Sequence, residues 1–142
     1  MLEARVEVDG ERVGSIGAGL LVYVGVGRAD TDADATWMAQ KLASLRVFPD
    51  EQGKMSRAVG DVGGGVLVVS QFTLFGDMRR GNRPSFDDAA PPEEAQRLLD
   101  ALLGQLREGG LTIASGRFRA MMRVHATVDG PVTILIDSKK TF

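Results

Sequence analysis

Two stretches of the chain, Leu20–Val26 and Val66–Phe75, are dominated by apolar residues, open on unbroken apolar runs and begin beside glycines. A strand with one face in water alternates apolar and polar residues, so runs this continuous read as strands buried within a sheet. The remaining segments carry two other periods. Glu3–Val8 alternates as Glu-Ala-Arg-Val-Glu-Val, the pattern of a half-buried strand. Asp9-Gly10 is a type I′ hairpin dipeptide, which folds Glu11–Ile16 back as its partner.

Between residues 30 and 45 the period lengthens. Ala35, Met38, Leu42 and Leu45 share one helical face. Thr31 with Asp34 resembles a capping box, and Asp30, Asp32 and Asp34 suit the positive end of a helix dipole. The same aspartates do not make an EF-hand, because Ala35 and Lys41 stand where glycine and glutamate are needed. A second helix opens at Pro91-Pro92-Glu93-Glu94. Ala95, Leu98, Leu99, Leu102, Leu103 and Leu106 form its apolar face, and Arg107 before Gly109-Gly110 closes it. Short strands are expected at Leu45–Phe48, Met121–Val128 and Val132–Ile136, the last two joined by Asp129-Gly130-Pro131. Strands and helices in this order, over 142 residues, predict one α/β domain with mixed rather than all-parallel sheets.

The side-chain inventory narrows the chemistry. With no cysteine, thiol nucleophiles, disulfides and thiolate metal sites are excluded. With one histidine, His125, a multi-histidine zinc site cannot form within one chain, and any Ser–His–Asp triad would have to use it. The net charge is −2, which gives no general attraction for nucleic acid, although a local basic face is compatible with it. No run approaches the ~20 apolar residues of a membrane span, and no signal pattern precedes the first strand. These features fit the cytoplasm. Glycine, at 18 residues, exceeds its ordinary share of about 7% without periodicity, and reads as turn chemistry. Gly60–Gly65 lacks the Gly-Lys-Ser/Thr ending of a phosphate loop, and Asp30 occupies the third glycine position of a dinucleotide fingerprint begun by Gly25-Val26-Gly27.

Three constellations remain. Ser70-Gln71-Phe72-Thr73-Leu74 ends the strongest apolar run; these residues either face a pocket from a rigid strand end or satisfy local backbone groups. Gly130-Pro131 sits in a tight interstrand connection, where an unshielded backbone either presents carbonyl oxygens to a ligand or makes an ordinary turn. Arginines cluster at Arg79, Arg80 and Arg83 and again at Arg117, Arg119 and Arg123, either as a phosphate-binding face or as solvated charge. His125, in an alternating strand, reads as a packed histidine rather than a catalytic one.

Over nearly all of its length the chain resembles the D-aminoacyl-tRNA deacylases. The resemblance rests on Ser70-Gln-Phe-Thr-Leu74, Arg83-Pro-Ser-Phe86 followed by Asp88-Ala-Ala-Pro-Pro-Glu93, Gly116-Arg-Phe118 and Gly130-Pro-Val-Thr133. It implies a single domain of β/β/α layers over residues 1–142, with two main helices on one side. The implied activity is hydrolysis of the ester of D-aminoacyl-tRNA, and of glycyl-tRNA mischarged on tRNA(Ala), without cofactor or metal. The implied partners are the 3′ end of aminoacyl-tRNA and a second copy of the chain, with no DNA or membrane. In such a homodimer, Gly130-Pro131 is expected as a cis peptide entering the other protomer's site and excluding L-amino acids. Ser70, Gln71, Phe72 and Thr73 are expected to line that site, and Arg79, Arg80 and Arg83 to contact the tRNA.

Two chemistries stay open: Thr73 as nucleophile, or attack assisted by the terminal ribose 2′-hydroxyl with amide donors around Gln71 and Phe72. Two other functions also stay open, a catalytically weakened RNA-binding homologue and a small-molecule esterase using Ser70 or Thr73. The chain departs from the resemblance at Arg119, where glycine or alanine is common, and at Val128, where asparagine is common. It is also expected to lack a first strand of about eight residues, within the ordinary strand length. That would leave a sheet edge exposed and the activity reduced.

Overall fold

The computed structural model describes residues 1–142. β1 (Glu3–Val8) and β2 (Glu11–Ile16) form the expected hairpin, with Ala4 opposite Ile16. Asp9 and Gly10 have φ of 51° and 81°, both in the left-handed region that a type I′ turn requires. β8 (Arg123–Thr127) pairs antiparallel with the other side of β1, giving the order β2-β1-β8. β3 (Gly19–Val24), β6 (Gly65–Ser70) and β7 (Thr112–Ser115) form a second, parallel sheet in the order β3-β6-β7. A short pair, β4 (Phe48–Pro49) and β5 (Met55–Arg57), stands apart. Antiparallel and parallel pairing therefore coexist, in separate sheets.

β6 explains the layering. Its residues are buried on both faces, as its unbroken apolar sequence requires. Val66 and Val68 pack with Ala39 and Leu42 of α1 (Asp32–Ser44) and with Leu99, Leu102, Leu103 and Leu106 of α2 (Pro92–Glu108). Leu67 and Val69 point the other way, against Ala4, Val6 and Ile16 of the first sheet. The result is antiparallel sheet, parallel sheet, helices. Each fully buried valine or leucine in these layers contributes about 1.5–3 kcal/mol.

α1 begins as its sequence predicts. The Thr31 amide donates to Asp34 Oδ2 at 2.9 Å, and Asp32 pairs with Arg97 of α2 at 2.7 Å. Asp34 also receives Lys139 Nζ at 2.9 Å, which straps the C-terminal segment to the helix. Burial alone would raise the Asp34 pKa; the bonds from Lys139, Thr31 and Ser138 outweigh it and hold it at about 2, below the ordinary 3.8. A depressed carboxylate stabilises the fold above its unfolded pKa and ceases to do so as pH falls through its folded pKa. Asp34→Ala is thus expected to cost about 1 kcal/mol at pH 7, and progressively less as the pH falls from about 4 to 2. Chemical denaturation of both proteins at several pH values measures the difference.

Three expectations are corrected. The second apolar run does not stay extended to Phe75: the strand ends at Ser70, and Phe72–Phe75 form one 3₁₀ turn, with Leu74 N–H donating to Gln71 O at 3.2 Å. Leu45 caps α1 through Lys41 O, so the next strand starts only at Phe48. Val132–Ile136 joins no sheet, despite its β-branched composition. It runs beside the unpaired edge of β3, across an apolar groove of about 1140 Å³ lined by Leu20, Val22, Val24, Val132 and Ile134 among others. β5 and β7 are the strands that sequence reasoning missed; at three and four residues they are too short to display a period.

Candidate functional site

The Ser70–Phe75 segment leaves the parallel sheet at the C-terminal end of its central strand. The Gln71 amide still donates to Val24 O at 2.8 Å, which ties the exit of β6 to the end of β3. The chain then turns, so Ser70, Gln71, Phe72 and Thr73 do not alternate between two faces as strand residues would. Ser70 and Gln71 are half-buried; Phe72 and Thr73 are exposed. Gln71 Nε2 donates to Thr73 Oγ1 at 2.6 Å, so the hydroxyl is held by an amide and not by a base. Val24 takes the Gln71 amide, and the turn's bonds run from Leu74 N–H to Gln71 O and from Gly76 N–H to Thr73 O, so the first free donor is the Phe72 N–H, at the start of the 3₁₀ turn.

Gly25 and Gly27 lie beneath this segment. A Cβ on Gly25 would meet the Phe75 ring at 3.1 Å and Gln71 O at 3.2 Å; one on Gly27 would meet the ring at 2.9 Å. Their smallness serves the close seating of Phe75, which accounts for the glycine pair without a nucleotide. Phe86, from the Arg83–Phe86 segment, meets Phe72 edge-on with ring centroids 5.1 Å apart. That segment is itself anchored: Asp77 and Ser85 bridge through backbone bonds of 2.7 and 3.0 Å, and Arg28 N–H donates to Asp88 O at 2.8 Å. Two motifs distant in sequence thus form one aromatic wall.

The arginines of this hairpin are not equivalent. Arg79 is held by Asp77, Nε to Oδ1 at 2.9 Å and Nη2 to Oδ2 at 2.7 Å. Those bonds keep the Asp77 carboxyl well below the usual carboxylate range. Arg80 and Arg83 are exposed. His125 lies elsewhere, on the outer face of the antiparallel sheet opposite Arg5, with Nε2 3.3 Å from Glu7 Oε2 at an angle that makes no hydrogen bond. The Arg5 side chain, with a smaller contribution from His125, keeps the Glu7 pKa below its usual value.

The Gly130–Pro131 peptide is cis, and Gly130 has φ of +115°. Gly130 lines the apolar groove, together with Val128, Val132 and Ile134; Ser70 to Thr73 do not line it. Around this groove and the turn, large apolar side chains stand in solvent: Phe72 and Leu74 are each 56% exposed and Leu135 72%. Exposed apolar area on this scale marks an interaction surface.

Comparison with known proteins matches residues 1–137 to the family model described as D-Tyr-tRNA(Tyr) deacylase. A protein of Sorangium cellulosum (strain So ce56) named D-aminoacyl-tRNA deacylase is 62% identical over 142 residues, covering 99% of this chain and 95% of that one. One of the same name from Heliobacterium modesticaldum (strain ATCC 51547 / Ice1) is 57% identical over 139 residues, 98% of this chain and 93% of that one. Among solved structures, one titled c-Myc DNA Unwinding Element Binding Protein superposes with a TM-score of 0.87 at 42% identity, covering 94% of this chain and 91% of its own. A structure described as a probable eukaryotic D-amino acid tRNA deacylase shares the fold, with a TM-score of 0.76 at 17% identity and coverage of 92% and 91%.

Proposed function

The chain belongs to the D-Tyr-tRNA(Tyr) deacylase family, and on that premise we propose that it hydrolyses the ester joining a D-amino acid, or glycine carried by tRNA(Ala), to the 3′ end of tRNA in the cytoplasm. The observation that carries the chemistry is the Ser70–Thr73 turn. It offers hydroxyls, the Gln71 carboxamide and the free Phe72 amide, and no base touches Thr73. An unactivated hydroxyl is a weak nucleophile, which favours attack by water assisted by the neighbouring ribose 2′-hydroxyl of the RNA itself. The Phe72 amide and the Gln71 side chain then stabilise the oxyanion as the carbonyl becomes tetrahedral. The tetrahedral carbon collapses by expelling the ribose 3′-oxygen, which leaves protonated, releasing free amino acid and tRNA.

Selectivity for the D-form is assigned to Gly130–Pro131 of a second copy. The loop is exposed and carries no Cβ at Gly130, so its carbonyl oxygens approach a substrate closely. Placed opposite the Ser70–Thr73 turn, they occupy the volume an L side chain needs and leave the D side chain free. The exposed apolar residues that surround the turn and the groove supply the contact for such a dimer. Arg80 and Arg83 extend toward the tRNA; Arg79 does so through what its ion pair with Asp77 leaves free.

Incubation of the purified protein with D-tyrosyl-tRNA and L-tyrosyl-tRNA tests the reading. Release of D-tyrosine with L-tyrosyl-tRNA left intact is the expected result. Binding of both without release would instead indicate an RNA-binding homologue, and release of both, or of simple esters only, a general esterase.

A further inference from the structure

We infer that Arg117, Arg119 and Arg123, in and after the β7–β8 connection, form the surface that grips the phosphodiester backbone of the RNA substrate. The inference rests on the deacylase reading and extends it beyond the hairpin arginines.

The first observation is position. β6 and β7 are parallel, with Val68 opposite Ser115, so both strands end at the same side of the sheet. Gly116 N–H donates to Val68 O at 3.0 Å, two residues before Ser70. The connection that carries Arg117 and Arg119 therefore departs alongside the segment that carries Ser70 to Thr73.

The second is how the connection is held. Phe118 packs against the helix–sheet core, while Arg117 and Arg119 on either side of it are exposed. Ala120 N–H closes the turn on Arg117 O at 3.2 Å. A Cβ on Gly116 would lie 2.6 Å from Met122 Sδ, so the entry to the turn is packed tightly. Arg119 itself sits at φ of +62°, where side-chain-bearing residues are uncommon. Backbone held in such a region tends to mark functional positions. A half-buried phenylalanine packed on the core thus fixes a turn that presents a guanidinium on each side.

The third is charge. Four arginines elsewhere pair with carboxylates, Arg5 with Glu7 at 3.2 Å, Arg57 with Glu51 at 3.7 Å, and Arg79 with Asp77 and Arg97 with Asp32 at 2.7 Å each, while Arg12, Arg28, Arg46 and Arg107 stand singly along the chain without one and Arg80 and Arg83 belong to the hairpin already described. Arg117, Arg119 and Arg123 have no carboxylate partner. Glu7 lies opposite Arg123 in register, but its carboxylate is engaged by Arg5 and faces His125. On a chain of net charge −2, three unpaired guanidinium groups within seven residues are a local feature and not the overflow of a basic composition. The planar fork of donors suits phosphate oxygens in particular.

The test is binding of uncharged tRNA, and of an RNA hairpin comprising its acceptor stem, across a salt series. Each phosphate contact removed should reduce the steepness of log K against log salt by about 0.7–0.9. The triple variant Arg117→Ala, Arg119→Ala, Arg123→Ala is expected to lose about two to three units of that slope, while Arg107→Ala, in the last turn of α2, keeps it. Arg119→Gly, which suits the positive φ, should fold normally and lose about one unit. An unchanged slope in the triple variant, or a loss of affinity with no change in slope, would overturn the inference. So would a deficit toward polyglutamate equal to that toward RNA. Should the unaltered protein fail to release D-tyrosine from its tRNA, the deacylase reading falls, yet the slopes still decide whether these arginines hold RNA.

Discussion

Replacing the terminal ribose 2′-hydroxyl of the substrate by hydrogen is expected to slow release of the D-amino acid by about 10²–10⁴-fold, the usual worth of a positioned proton-transfer group. Thr73→Ala is expected to cost far less. Its hydroxyl accepts one hydrogen bond from Gln71 Nε2. Losing such a bond, about 1 kcal/mol, corresponds to about fivefold in rate. The contrast follows from what the site contains. The one histidine lies on the outer sheet face against Glu7, so the protein places no histidine base beside the hydroxyls. A proton must still be managed as water attacks, and the group nearest the ester that belongs to the reactants is the ribose hydroxyl. Single-turnover rates with 2′-deoxy and native substrates, on the unaltered protein and the Thr73→Ala variant, measure both quantities. Abolition of activity by Thr73→Ala with the 2′-deoxy substrate still cleaved would reassign the nucleophile to Thr73.

Gly130→Val is expected to lower the ratio of D- to L-aminoacyl-tRNA hydrolysis by about 10²-fold, the scale of a misplacement near 1 Å at a reacting centre. At φ of +115° a branched side chain is strained, and its Cβ would lie 3.0 Å from both Val132 N and Val132 Cγ2. The loop must shift to relieve this, and the carbonyl oxygens proposed to exclude L side chains shift with it. The loop is exposed, so the fold should lose only about 1–2 kcal/mol. Thermal unfolding alongside paired D and L assays separates selectivity from stability. A variant that unfolds earlier but keeps the full D preference would contradict the assignment.

How much of this was legible in the sequence follows from what each segment packs against. The β1–β2 hairpin and both helices were readable because their signals are local: a type I′ dipeptide, a capping residue, a leucine face. β6 was readable in kind but not in extent. Hydrophobicity continues through Phe72 and Leu74, and nothing in it announces that the chain turns at Gln71, where Val24 takes the backbone amide. Val132–Ile136 shows the opposite error. Its residues favour strands, but that preference reports fit to a pleated, half-buried surface, and no strand pairs with it. The site shared this limit. Ser70 to Thr73 stood out as polar residues ending an apolar run, whereas the Phe72–Phe86 contact and the neutralisation of Arg79 depend on chain segments meeting in space.

The central claim is that each site is completed by the Gly130–Pro131 loop of the other copy. Mixed dimers test it most directly. One chain would carry Ser70→Ala with Gln71→Ala, the other Gly130→Val, with different affinity tags so that only mixed dimers are kept. Each mixed dimer then has one site with its own turn intact, facing an intact partner loop. The account predicts about half of the unaltered activity, one working site in two, with the unaltered preference for D over L. Activity with the relaxed preference of the Gly130→Val parent would mean that the loop serves its own subunit, and would contradict the account.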